Sequence, residues 1–129
     1  MSRERYAKFV DHLKEVAESR VGYVPGQIEF LGEKLPEVVA NFVRLYGSIM
    51  QKGALDVKTK ELIGLGIAVA LGCEHCMEWH TIGALEQGAS EEEIAETLAV
   101  AIAMTGGPGL VTLPEPVIKA LEKYKEKKK

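Results

Sequence analysis

Residues 62–72 run Leu-Ile-Gly-Leu-Gly-Ile-Ala-Val-Ala-Leu-Gly, eleven positions without a charged or polar side chain. The run is too short to cross a bilayer as a helix. It must therefore be sheltered by the rest of a globular chain, and the neighbouring segments have to be arranged about it. Asp56 is a fitting N-cap for a helix that ends near Leu71. A helix apolar all round is expected to be buried on most sides. Gly64 and Gly66 lower its intrinsic helix propensity but let another helix approach closely.

The other segments also repeat at helical spacing. Tyr6, Phe9, Val10, Leu13, Val16 and Ala17 mark an amphipathic helix over residues 3–19. Gly22, Pro25 and Gly26 place a loop over 20–26, and a short helix is expected over 27–34. Pro36 suits a first helical turn. Val38, Val39, Phe42, Leu45, Tyr46, Ile49 and Met50 form the next stripe, with Gly53 expected to close it. After the apolar run a further helix should end at Gly88, and Ser90 with Glu93 forms a capping box for the one that follows. Residues 105–109, Thr-Gly-Gly-Pro-Gly, should break the chain before a last helix that begins near Pro114 and Pro116. No stretch alternates with period two. The expectation is an all-α fold: one domain of about six helices spanning residues 1–129, with the apolar helix central.

Charge narrows the function classes. The 16 basic and 19 acidic residues give a net −3, and residues 119–129 hold six lysines against Glu122 and Glu126. The remainder is clearly acidic, which argues against nucleic-acid binding. The lysine-rich end reads as a solvated helix terminus. The opening residues lead into an amphipathic pattern rather than an apolar signal sequence, so a cytoplasmic protein, not a membrane one, is expected.

Chemistry concentrates immediately after the apolar run, in Gly72-Cys73-Glu74-His75-Cys76-Met77-Glu78-Trp79-His80. On a helix, Cys73, Cys76 and His80 lie in successive turns of one face. A helix start favours a thiolate through its unpaired N–H groups and its dipole. Two cysteines three apart in a cytoplasmic chain point to redox or metal chemistry rather than to a structural staple. His80 is one turn from Cys76 and can take its proton. His75 lies off that face, because neighbouring residues are about 100° apart on a helix. One helix therefore cannot easily close a tetrahedral metal site with Cys73, His75, Cys76 and His80. Glu74 and Glu78 read as solvated, and Met77 and Trp79 as packing residues. His12 follows Asp11 on the polar side of the first helix and takes no role.

Glu61, twelve residues before Cys73, completes a pattern with Cys73, His75, Cys76 and His80. This pattern resembles the alkylhydroperoxidase D-like group of the carboxymuconolactone decarboxylase family, with a family core over about residues 36–104. The cysteine pair favours the redox branch over the decarboxylases, which generally lack it. The resemblance implies a thiol peroxidase or disulfide reductase that acts on a hydroperoxide or disulfide substrate. Cys76 would attack peroxide and Cys73 would resolve the sulfenic acid to a Cys73–Cys76 disulfide. His80 and Glu61 would relay protons, with His75 in support. It also implies a lipoyl or thioredoxin-like dithiol donor and a trimeric or hexameric homo-oligomer. No flavin or nicotinamide motif is present, so electrons are expected from another protein or a small thiol and no cofactor is expected. The alternatives are a lactone decarboxylase-like lyase and a non-enzymatic redox-sensing or metal-binding module.

Overall fold

The computed structural model describes residues 2–111 and 114–129, and the described residues are helical with no strand. Among the described residues eight helices follow one another: α1 (Arg3–Val21), α2 (Gly26–Lys34), α3 (Pro36–Ile49), α4 (Val57–Leu71), α5 (Glu74–Glu86), α6 (Glu91–Thr105), the short α7 (Gly107–Val111) and α8 (Glu115–Lys128). They divide into two compact units, Met1–Gln51 and Lys52–Lys129.

In the first unit α1 and α2 both pack on α3. Val10, Ala17 and Val21 of α1 are buried, as are Val39 and Ala40 of α3. Lys14 on α1 reaches Glu29 on α2 at 3.1 Å, an exposed pair of small energetic weight. The helix α3 stops at Ile49, with Met50 as its C-cap, rather than running on to Gly53. Gly53 is not in the left-handed conformation that closes a helix. In the last turn the Ser48 hydroxyl donates to the Leu45 carbonyl at 2.7 Å, a local bond that competes with the helical ladder.

The second unit is built on the pair α4 and α5. Helix α4 also packs on α6, α8 lies against α5, and α7 against α6. Their core joins Leu65, Ala68 and Val69 of α4, Met77 and Ala84 of α5, Ile94 and Ala101 of α6, and Val117 of α8. Burial of such side chains, each worth about 1.5–3 kcal/mol for the larger ones, holds these helices together. The start of α4 is fixed by Asp56, whose carboxylate accepts the Thr59 N–H at 2.7 Å. At α6 the capping box is reciprocal: Ser90 Oγ accepts from Glu93 N, and Glu93 Oε1 accepts from Ser90 N.

Two further expectations need correcting. Helix α4 is not buried on most sides: Leu65, Ala68 and Val69 are enclosed, but Ile63, Ile67 and Leu71, on successive turns, are exposed. Uniform apolarity does not reveal which face the chain itself can cover. Residues 105–109 do not simply break the chain either. Helix α6 ends at Thr105, Gly106 turns the backbone at φ 74°, and one more helical turn, α7, follows.

Candidate active site

The connection from α4 to α5 is two residues long. Gly72 adopts φ 70°, a left-handed conformation available to glycine without the Cβ penalty. Its N–H and that of Cys73 return to carbonyls of the last turn of α4: Gly72 N to Val69 O at 3.1 Å, Cys73 N to Ala68 O at 3.0 Å. The chain therefore reverses within one turn, and α5 begins beside the end of α4.

Cys73 is the N-cap of α5. Its Sγ accepts the Cys76 N–H at 3.2 Å, in the place usually taken by a serine or aspartate oxygen. Cys73 and Cys76 are joined by a disulfide, with their Cα atoms 5.2 Å apart. Both are half-buried, and Cys76 also packs against the apolar core. Cys73 thus caps the helix with its sulfur, while Cys76 is the residue of the pair that packs on the core.

One turn beyond Cys76, the side chain of His80 is 14% exposed, and Glu61 of α4 is 3% exposed. His80 Nδ1 stands 3.7 Å from Glu61 Oε1. This is ion-pair range for a protonated imidazole, though longer than a direct hydrogen bond. A carboxylate this deeply enclosed is costly unless a cation or donor faces it, and His80 is the facing group. The helical register explains the encounter. Glu61, Leu65 and Ala68 share a buried face of α4, so Glu61 looks into the unit rather than into solvent.

Gly64, one turn after Glu61, completes the seat. A Cβ built there would stand 2.8 Å from both Cε1 and Nδ1 of His80 and 3.0 Å from its Cγ. The imidazole therefore lies directly on the α4 backbone. The sequence indicated close approach at Gly64 but not what approaches. The spacing of Gly64 from Glu61 was the available signal, since residues three apart share a face.

Of the expected site residues, the structure joins Cys73 to Cys76 and brings Glu61 to His80. His75 is exposed on the first turn of α5. Met77 is in the core and Trp79 is half-buried, as packing residues should be. Glu78 is not solvated as expected. It is half-buried and faces Lys123 of α8 at 3.8 Å. Helix α8 accounts for this, since its apolar side packs on α5 while Tyr124 donates to the Leu85 carbonyl at 3.5 Å.

The Carboxymuconolactone decarboxylase family profile matches residues 36–113. The chain belongs to this family. A family protein of Legionella pneumophila, solved in its apo form, is 32% identical, with 89% of this chain and 96% of that one covered and a TM-score of 0.70. A Thermotoga maritima family protein, described with possible involvement in antioxidative response, is 35% identical over 68% of this chain and 90% of its own, with a TM-score of 0.62. An uncharacterized Cupriavidus necator protein is 37% identical over 91 residues, 70% of this chain and 80% of its own. The match begins at Pro36 and runs beyond the expected core end at 104, to residue 113.

Proposed function

We propose that this family member is a CxxC-dependent thiol peroxidase or disulfide reductase. The observation that carries the reading is the Cys73–Cys76 disulfide at the start of α5, one turn before a histidine seated against a buried glutamate. The antioxidative description of the Thermotoga relative points the same way.

In the reduced enzyme the two thiols need different help. Cys76 packs against apolar side chains, which hold the proton on sulfur, so it needs a base. His80 supplies that base, and Glu61 orients and stabilises the imidazolium that results. The Cys76 thiolate attacks one peroxide oxygen, the O–O bond breaks, and the alcohol leaves with a proton, giving a sulfenic acid at Cys76. Cys73 then attacks Cys76 Sγ, and the hydroxyl departs as water after taking a proton. A hydroperoxide and two thiols become an alcohol, water and the disulfide. A dithiol of the lipoyl or thioredoxin type returns the two electrons. His75, exposed on the first turn, supports the relay from the solvent side.

The protein is read as a cytoplasmic homo-oligomer, trimeric or hexameric. Among the described residues no helix is long and apolar enough to cross a membrane. Val38, Phe42, Leu45 and Ile49 of α3 are exposed at helical spacing, and so are Ile63, Ile67 and Leu71 of α4. Such aligned apolar faces are what subunit contacts cover. The deciding experiment is steady-state turnover of several hydroperoxides with dihydrolipoamide, with thioredoxin and without a donor. Donor-dependent peroxide loss supports the reading. Lactone decarboxylation without any thiol requirement would replace it.

A further inference from the structure

Resting on the thiol–disulfide reading above, we infer that the electron donor attacks Cys76 and that Cys73 is the sulfur expelled. The intermediate is therefore a mixed disulfide between the donor and Cys76.

Two independent features set this polarity. Cys73 Sγ already accepts the Cys76 N–H at 3.2 Å and occupies the N-cap of a thirteen-residue helix. Charge that develops on it meets a donor and the positive end of the helix dipole at once, with no rearrangement. Cys76 packs against the core that includes Met77 and Leu65. Negative charge is received there only once the His80 imidazole, one turn on, has taken a proton, whereas Cys73 needs no such partner. In thiol–disulfide exchange the sulfur that better bears negative charge leaves faster. Both cysteines are half-buried, so access does not oppose this preference.

The exchange balances in two steps. A donor thiolate bonds to Cys76 Sγ, the Cys73–Cys76 bond breaks, and its electron pair departs on Cys73 as thiolate. The donor's second thiolate then attacks the donor sulfur of the mixed disulfide. The bond to Cys76 breaks, Cys76 takes a proton, and the donor leaves as its own disulfide. The dithiol has lost two electrons and the enzyme has gained them. The oxidative half-reaction then begins with the same partition, since the Cys73 thiolate waits at the helix start while Cys76 needs its base. Cys76 is thus the sulfur that takes the donor, and Cys73 the one that carries away the charge.

The test uses the oxidised full-length chain and a monothiol, 2-mercaptoethanol, which stops after the first step. Samples are quenched with N-ethylmaleimide at increasing times, and the adduct is located by fragment mass spectrometry and extrapolated to zero time. A better-stabilised leaving thiolate gives an expected excess of about 3- to 10-fold. The excess should be mercaptoethanol on Cys76 with maleimide on Cys73. The opposite placement, or an even mixture, overturns the inference while leaving the thiol–disulfide reading intact. A second readout uses the reduced chain with substoichiometric iodoacetamide at pH 7, where the label should collect on Cys73. Label collecting on Cys76 counts against the assigned polarity. An oxidised chain without the Cys73–Cys76 disulfide would instead remove the reading on which the inference rests, and the inference with it.

Discussion

Gly64→Ala should separate catalysis from stability. The new Cβ would stand 2.8 Å from Cε1 and Nδ1 of His80, where ordinary contact begins at 3.4 Å, so the ring must retreat by about 0.6 Å. The Glu61–His80 separation, now 3.7 Å, would open as the ring moves off α4. A misplacement of about 1 Å in a catalytic group can cost ~10²-fold, so a shift of this size should lower peroxide turnover about tenfold. The fold should barely register the change. Alanine gains up to about 1 kcal/mol over glycine inside a helix. An off-rotamer imidazole gives back about 0.5–1.5 kcal/mol.

Gly66→Ala is the matched control. It lies two residues further along the same helix, and its Cβ would meet Thr97 Cγ2 at 3.8 Å, an ordinary contact. It should be stabilised by up to about 1 kcal/mol, a rise of a few degrees in Tm, with turnover unchanged. The assays are hydroperoxide turnover with a dithiol donor and thermal unfolding by circular dichroism. Parental turnover in Gly64→Ala, or equal losses in both variants, would refute the argument that Gly64 seats the imidazole.

Glu61→Gln should keep the fold and slow turnover by ~10²-fold, the scale of general acid–base assistance; parental rates across pH 6–8 would reduce Glu61 to a buried helix residue. Cys76→Ser should abolish peroxide consumption, whereas Cys73→Ser should consume about one equivalent and stall with a sulfenic acid on Cys76. Mass spectrometry after a single peroxide pulse reads both, and the reverse pattern would exchange the roles. In acid, the starts of α4 and α6 should weaken first. Asp56 is held below its ordinary 3.8, chiefly by hydrogen bonding to the Thr59 side chain, and Glu93 below its ordinary 4.5, chiefly by the Ser90 N–H and then by Lys58. A carboxylate whose folded value is lowered adds stability that is complete above its unfolded value and lost as pH falls through the folded one. Thermal unfolding from pH 6 down to 2 should therefore show Asp56→Asn and Glu93→Gln converging on the parent below those values, and a constant gap would contradict the assignment. Light scattering at micromolar concentration should exceed the 14.1 kDa of one chain, and a monomer would leave the apolar faces of α3 and α4 unexplained.

What the sequence revealed was governed by distance along the chain. Asp56, Ser90 with Glu93, and Gly88 act within three or four residues, and their caps stand where their spacing put them. The end of α3 was harder to read, because a glycine signals a helix end only if its backbone turns left-handed, and Gly53 does not. The burial of Glu78 needed knowledge that the lysine-rich α8 folds back on α5. Nothing local encodes that return. Exposure of Ile63, Ile67 and Leu71 was hidden for a different reason: residues covered by the chain and residues left for a partner obey the same apolar rule.

The site occupies the boundary between these regimes. The cysteine pair and His80 are neighbours on one helix, so spacing alone aligns them. Glu61 is nineteen positions before His80 in the chain, and spacing alone cannot say that they meet. They meet because Gly72 turns left-handed and reverses the chain within a turn, so that the buried face of α4 lies beside the first turns of α5. The same reversal makes Cys73 the N-cap of the new helix, with its sulfur on the Cys76 N–H. One short connection thus sets two properties at once, the carboxylate opposite the histidine and the unequal surroundings of the two sulfurs. A displacement of this turn should disturb both together, whereas a change at Gly64 moves the histidine and leaves the cap on Cys73 intact.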